Sequence, residues 1–160
     1  NSFVSGSTLV ECLFVIVCPA PLHLEVERYL PQSTFRHVTD NSGRDLTDLL
    51  SSELIAKHAN DVPSLTAKKI LPRIRGSVEQ ITENAKYACE ISQETVVQEA
   101  ILAMRQELES EQDRMKNLAG KNPNIRLDEV ESLGTKIQSC EHFLKNSQLK
   151  LDAIRVIIIT

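Results

Sequence analysis

Apolar and polar residues change rhythm several times along this chain, and each rhythm predicts a different element. Thr8 to Cys18, TLVECLFVIVC, is nearly continuous apolar sequence, rich in β-branched residues, and it halts at Pro19 and Pro21. A run that short and that branched predicts a strand buried on both faces rather than a helix. Leu22 to Leu30, LHLEVERYL, alternates, with Leu22, Leu24 and Val26 on one side and His23, Glu25 and Glu27 on the other. That is the period of a half-buried strand. Thr34 to Asp40 alternates too, Phe35 against Arg36 and Val38 against Thr39, with Pro31 and Gln32 as the turn before it. Asp40 to Gly43, DNSG, is a strong loop signal. Residues 1–43 are therefore expected to form a small antiparallel β-meander.

The period then lengthens to that of helices. Leu46, Leu49, Leu50 and Leu54 stand at helical spacing, with Asp45 as the expected N-cap of a helix running to His58. Ser64 is placed to cap the next helix. Pro72 lacks an amide donor and clashes with the preceding turn, so it is expected to kink that helix or start a new one, and Gly76 weakens the same place. From about Val78 a helix is expected without a break to Leu118. Its stripe is Ile81, Ala85 and Ala88, slips at Ser92 to Thr95, and resumes as Val97, Ile101, Met104, Leu108, Met115 and Leu118, with Glu111 as the one miss. After GKNPNI (Gly120 to Ile125), Val130, Leu133, Ile137, Cys140 and Leu144 follow the three-four spacing of a coiled-coil seam.

Two seams joined by a short loop predict an antiparallel helical hairpin spanning 78–149, with arms of roughly 20 residues and about 30 Å. Gly120 is expected to supply a left-handed C-cap and Pro123 to block continuation. Asp128 with Glu131 has the spacing of a capping box, and Asn124 is a second candidate cap. The final AIRVIIIT (Ala153 to Thr160) is expected to close the sheet as a strand within 151–160, paired on both sides or covered because an edge position would expose an aggregation-prone run. The expected class is α+β: a small antiparallel sheet, made of the N-terminal meander and the C-terminal strand, with a long helical hairpin in the 44–150 part.

Composition narrows the function. The chain has 160 residues, enough for one domain with a real core. Aromatic content is 4% with no Trp, which disfavours a base-stacking surface for single strands. The net charge of -4 does not advertise nucleic-acid binding, though a local patch still can. The absence of an initial Met and the stop directly after an apolar run suggest a domain cut from a larger protein. No basic segment precedes the apolar run, as a signal peptide would require, and Leu9 to Cys18 is too short to span a bilayer and is interrupted by Glu11. Cys12, Cys18, Cys89 and Cys140 are widely spaced without CxxC pairing, which favours free thiols in a reducing compartment.

The chemistry is sparse. There is no phosphate loop, and the five Gly are scattered. His23 and His37 fall on neighbouring expected strands, as two half-exposed histidines on a sheet face or as cross-strand partners, and no further ligands cluster with them for a metal. Cys140 and His142 lie two apart on a helix and so point to different faces, which excludes a nucleophile pair. Two charged features remain. Lys68, Lys69, Arg73 and Arg75 lie within eight residues, either as a phosphate or acidic-partner contact or as a solvated face flanking Ile70, Leu71 and Ile74. Glu107, Glu109, Glu111 and Asp113 lie near the hairpin tip, partly balanced by Arg114 and Lys116, as soluble surface or as an acidic arm for a protein partner.

NPNIRLDEVESL (Asn122 to Leu133) and LKLDAIRVIIIT (Leu149 to Thr160) carry a resemblance. They are similar to the C-terminal region of the RapA (HepA) family, bacterial RNA polymerase-associated ATPases of the SWI/SNF type. That family has a long charged helix reaching a loop like Asn122, Pro123, Asn124, Ile125 and Arg126, and then an acidic helix. A segment like Lys150, Leu151, Asp152, Ala153, Ile154 and Arg155 follows before a β-branched end. Tyr29, Leu30, Pro31, Asp40, Asn41 and Gly43 also match the layout of the family's strand region, so the similarity covers most of the chain. Leu127 stands where an acidic residue is usual, and Lys68 to Gly76 has no clear counterpart.

The resemblance implies a non-catalytic accessory domain at 1–160, without a cofactor in this chain. Its implied partners are RNA polymerase, the upstream ATPase core of the same protein, or both, with DNA a partner of the parent and no membrane. The parent is expected to hydrolyse ATP, translocate on DNA and recycle RNA polymerase in transcription, in the bacterial cytoplasm with the nucleoid. The alternative is a nucleic-acid-contacting module acting through Lys68, Lys69, Arg73 and Arg75.

Overall fold

β1 (Thr8–Val17) is the centre of a three-stranded antiparallel sheet of order β2-β1-β3, with β2 at Thr34–Asp40 and β3 at Gln148–Ile158. The computed structural model describes residues 5–160, so the first four positions of the expected meander lie outside the described residues. Three helices complete the α+β fold: α1 (Ser52–His58), α2 (Ser64–Ala119) and α3 (Leu127–Lys145). The chain divides into two compact units. One holds residues up to Val15, Thr34–Ile91 and Leu149–Thr160, and the other Ile16–Ser33 and Ser92–Gln148.

In the first unit β1 is buried on both faces, as its unbroken apolar run predicts. Leu9, Val10, Glu11, Cys12 and Phe14 are all buried. The antiparallel register with β2 sets Leu9 opposite Asp40, Glu11 opposite Val38 and Leu13 opposite Arg36. On one face Leu9, Val38, Leu46 and Ile55 form a core against which Leu50, Ile157 and Ile159 pack. On the other, the Cys12 thiol donates to Thr82 Oγ1 of α2 at 3.9 Å, and Ile81, Ala85 and Cys89 of that helix are buried.

Asp45 does not cap a helix here. Residues 45–47 run along the outer edge of β2: Leu46 N donates to Val38 O at 2.7 Å, and Val38 N donates to Thr47 Oγ1 at 3.0 Å. The Asp45 carboxylate instead accepts from Thr47 N and Oγ1, closing a local Asx turn. The helix waits for Ser51, whose hydroxyl accepts from Leu54 N at 3.1 Å, so α1 is half the expected length.

α2 corrects two expectations and narrows a third. It starts at Ser64 itself, with the Pro63 carbonyl accepting from Thr66 N and Ala67 N, so Ser64 is inside the helix and not its cap. It continues through Pro72, where no new helix begins. The proline removes the donor that the Lys68 carbonyl would use, at a place where both residues are exposed. The helix also begins well before Val78. The slip of the apolar stripe at Ser92 to Thr95 coincides with the passage of α2 from the first unit to the second.

The second unit is built on the hairpin of α2 and α3. Val97, Ala100, Ile101, Met104 and Leu108 of α2 meet Ile137, Cys140 and Leu144 of α3 in one buried cluster, with Leu133 at its border. α3 has 19 residues, close to the expected arm length.

The third contributor to that cluster was expected elsewhere. Leu22 to Leu30 is not a strand but two 3-10 turns, Leu22–Leu24 and Val26–Arg28. The break is Glu25, which adopts a left-handed conformation at φ 52° and folds the segment back on itself. Leu24, Val26 and Tyr29 then enter the hairpin core, whereas Leu22 is 88% exposed. The alternation sorted Leu24 and Val26 from His23, Glu25 and Glu27 correctly but not their backbone, because 3-10 turns hinged at one residue also send near neighbours to opposite sides.

The bend departs from its expected chemistry. Gly120 has no positive φ; among the described residues Glu25, Gly6 and Gly43 do. The end of α2 is tied instead by Gly120 N donating to Lys116 O and Asn122 N to Leu118 O. α3 has Arg126 at its N-cap without a side-chain cap, so neither Asp128 nor Asn124 serves that role. The Asn122 side chain accepts from Asn124 N at 3.0 Å and shapes the loop before the helix begins. β3 closes the sheet as expected but starts earlier and lies at its edge, not between partners.

Candidate functional site

The basic segment occupies the N-terminal part of α2. Lys68, Lys69, Arg73 and Arg75 are exposed, while Ala67, Ile70 and Ile74 are turned partly inward. Helical spacing puts Lys69 and Arg73 on one stripe and Lys68 and Arg75 on another. Arg75 Nε donates to Glu79 Oε1 at 2.7 Å, which raises the pKa of the guanidinium and neutralises part of its field. Lys68, Lys69 and Arg73 form no ion pair among the described residues.

The acidic run on the distal half of α2 is matched by cations. Glu107 pairs with Arg28 at 2.8 Å, Glu109 with Arg105 at 3.3 Å, Glu111 with Arg114 at 3.0 Å and Asp113 with Lys116 at 3.9 Å. A carboxylate matched by a cation at such a distance projects little field beyond a Debye length. Arg105 also reaches across to Glu141 of α3 at 2.5 Å, and Glu141 accepts from Lys145 at 2.6 Å. Lys145 first and Arg105 second hold the Glu141 carboxyl below its ordinary range.

Toward the bend the hydrophobic seam loosens. Leu108 and Val130 are buried, but Met115 is half-buried and Leu118 is 41% exposed. Beyond Glu111 the arms are bridged by a polar contact instead, Gln112 Nε2 donating to Val130 O at 3.2 Å. An open groove of about 590 Å³ lies there, lined by Met115 and Leu133 together with Glu111, Asp128 and Glu129.

The histidines and cysteines do not gather. His23 sits on a 3-10 turn and not on the expected strand, so it is no cross-strand neighbour of His37 on β2. His37 Nδ1 lies 3.8 Å from an Asp45 carboxylate oxygen. His142 packs edge-on against Phe143 at 5.6 Å, while Cys140 is fully buried with its thiol donating to Leu24 O at 3.5 Å. All four cysteines carry free thiols. Burial pushes the Cys89 thiol up to about 11 and raises Cys12, Cys18 and Cys140 as well. Among the described residues no group of three or more His, Cys, Asp or Glu is arranged to hold a metal ion. No described helix is long and apolar enough to cross a membrane.

One buried polar group is marked in the sequence only as an interruption. Glu11, buried in the middle of β1, accepts from Arg36 Nε of β2 at 2.6 Å and lies 3.3 Å from Arg155 Nη1 of β3. Arg36 also donates to Thr47 O and Leu50 O, fastening the turn ahead of α1. The signal was available: a lone carboxylate in a run buried on both faces requires a cation, and Arg36 stands on the next strand.

Residues 1–159 match the C-terminal region of the RNA polymerase recycling family, and the chain belongs to that family. Individual relatives carry the name RNA polymerase-associated protein RapA. The chain is 30% identical over 155 residues to the one from Proteus mirabilis (strain HI4320), 29% to that of Erwinia tasmaniensis and 30% to that of Serratia proteamaculans (strain 568). Each alignment takes in 97% of this chain but 16% of the relative, so the chain spans about one-sixth of the length of these proteins.

Proposed function

We propose that the chain is a docking domain of an RNA polymerase-associated, ATP-driven DNA translocase, contacting the polymerase or the motor core of its own protein without performing chemistry itself. The match of residues 1–159 to the C-terminal region of a polymerase recycling family carries this reading. A hairpin with a closed hydrophobic core and paired surface charges supports it, since such an arm presents a preformed surface at little ordering cost. The whole 1–160 span acts as one C-terminal accessory domain in this reading, and the nucleotide site lies in another part of the parent. The test is capture of RNA polymerase on the immobilised chain at low salt, with the full-length parent alongside. Retention by both supports docking to polymerase. Retention by the parent alone overturns that half of the reading and leaves contact with the motor core, which mixing the separated parts then measures.

A second reading rests on Lys68, Lys69 and Arg73, three exposed cations of one helix without acidic partners among the described residues. With Arg75 they make a duplex phosphate contact. Replacing all four by Ala lowers duplex affinity and flattens its salt dependence in this reading, and no binding at about 50 mM salt overturns it.

A further inference from the structure

The two edges of the sheet are finished differently. The outer edge of β2 is covered by residues 45–47, through Leu46 N to Val38 O, Val38 N to Thr47 Oγ1, and an isolated bridge between Thr39 and Asp45. β3, 11 residues long, has β1 on one side and no described residue paired along the other. A long edge strand presents a row of unmet amide donors and carbonyls and so templates another strand. Lys150 to Arg155 are exposed on both faces of β3, including Leu151 at 45% and Ile154 at 44%.

The charges on this stretch say what fits. Lys150 and Asp152 are opposite in sign, two residues apart and therefore on one face, and neither forms an ion pair among the described residues. A lone charge on an edge strand repels casual partners, but this pair is self-complementary. Laid antiparallel about a two-fold axis through Leu151, a second β3 sets its Asp152 opposite Lys150 and its Lys150 opposite Asp152. Leu151 meets its own copy on the other face. An axis at Lys150 opposes the two ammonium groups, and one at Asp152 opposes the two carboxylates; both are repulsive, so charge selects the register. We propose that a second copy of this chain pairs along β3 in that register, joining the two sheets into one through an isologous interface.

Sedimentation equilibrium of the 160-residue chain from micromolar to millimolar concentration tests this. A concentration-dependent dimer is expected. Lys150→Glu sets two carboxylate pairs face to face and Asp152→Lys two ammonium pairs, so each is expected to weaken dimerisation at least about tenfold. The double variant K150E/D152K restores attraction and is expected to return within about threefold of the original. Both positions are exposed, and thermal melts of each variant at dilute concentration confirm that the monomer is folded. A chain monomeric throughout the range overturns the proposal. So does a dimer indifferent to the single reversals, or one that the double variant fails to restore.

Discussion

Arg36 Nε donates to Glu11 Oε1 at 2.6 Å across the β1–β2 pair, with Glu11 buried and Arg36 nearly so. Removing one partner of such a pair strands a charge away from water, whereas an exposed partner leaves little behind. Glu11→Ala and Arg36→Ala are each expected to cost about 3 kcal/mol. Arg155→Ala, whose side chain is 53% exposed, is expected to cost under about 1 kcal/mol. Urea unfolding of the three variants distinguishes them, and equal losses contradict the assignment of Arg36 as the principal partner.

Asp40 predicts an acid-dependent stability. Burial alone would raise its pKa, but hydrogen bonds from the Ser42 hydroxyl, Arg44 N, Arg44 Nε and Ser42 N outweigh that and hold it at about 2. A carboxyl depressed in the folded state stabilises fully above its unfolded value of about 4 and stops stabilising as pH falls through its folded value near 2. Melting temperatures of the original and Asp40→Asn are expected to differ most at neutral pH and to converge between pH about 4 and 2.

Gly43 and Gly120, both in loops, are expected to separate on substitution. Gly43 has φ +81°, so Gly43→Ala strains the backbone and is expected to destabilise by about 1 kcal/mol. Gly120 lacks a positive φ, and an added Cβ meets its nearest neighbour, Asn117 O, at 3.7 Å. Gly120→Ala is therefore expected to be neutral or stabilising by up to about 1 kcal/mol, as a thermal melt reads directly.

Core truncation maps where the hairpin is closed. Met104, fully buried, is expected to cost about 3 kcal/mol as Met104→Ala. Leu118→Ala, at a position 41% exposed, is expected to cost below about 1 kcal/mol. Similar losses at both sites would mean that the seam closes as far as the bend.

Thiol labelling checks the cysteine environments. Cys12, Cys89 and Cys140 are buried and Cys18 is partly exposed, with its thiol on Phe143 O at 3.2 Å. A disulfide reagent at mildly alkaline pH is expected to modify Cys18 first and the other three only after denaturant, because burial keeps them protonated and out of reach.

What the sequence revealed followed the strength of its periodicities. β1 and β2 stood where unbroken and alternating patterns put them, and the seam from Val97 to Leu108 against Ile137, Cys140 and Leu144 is the observed hairpin core. Long-range choices were not legible. Whether Leu24 and Val26 join a sheet or a helical core depends on one left-handed residue, Glu25, which carries no glycine-like signal. Whether Asp45 caps a helix depends on the Val38 backbone needing a partner along its outer edge. The balance of the acidic run was partly readable: Arg105, Arg114 and Lys116 are helical neighbours of Glu109, Glu111 and Asp113, but Arg28 reaches Glu107 from a distant segment.

The strand order has a consequence in time. Of the three described strands β1 is the earliest in sequence and β3 the latest, yet the two lie side by side. Until β3 is made, half of the hydrogen-bonding capacity of β1 goes unmet, and Glu11 waits for Arg155. Closing a loop of that length is entropically slow, so completion of the sheet is the late event of folding. A chain cut before Leu149 would keep both arms of its hairpin while β1 stays open on one flank.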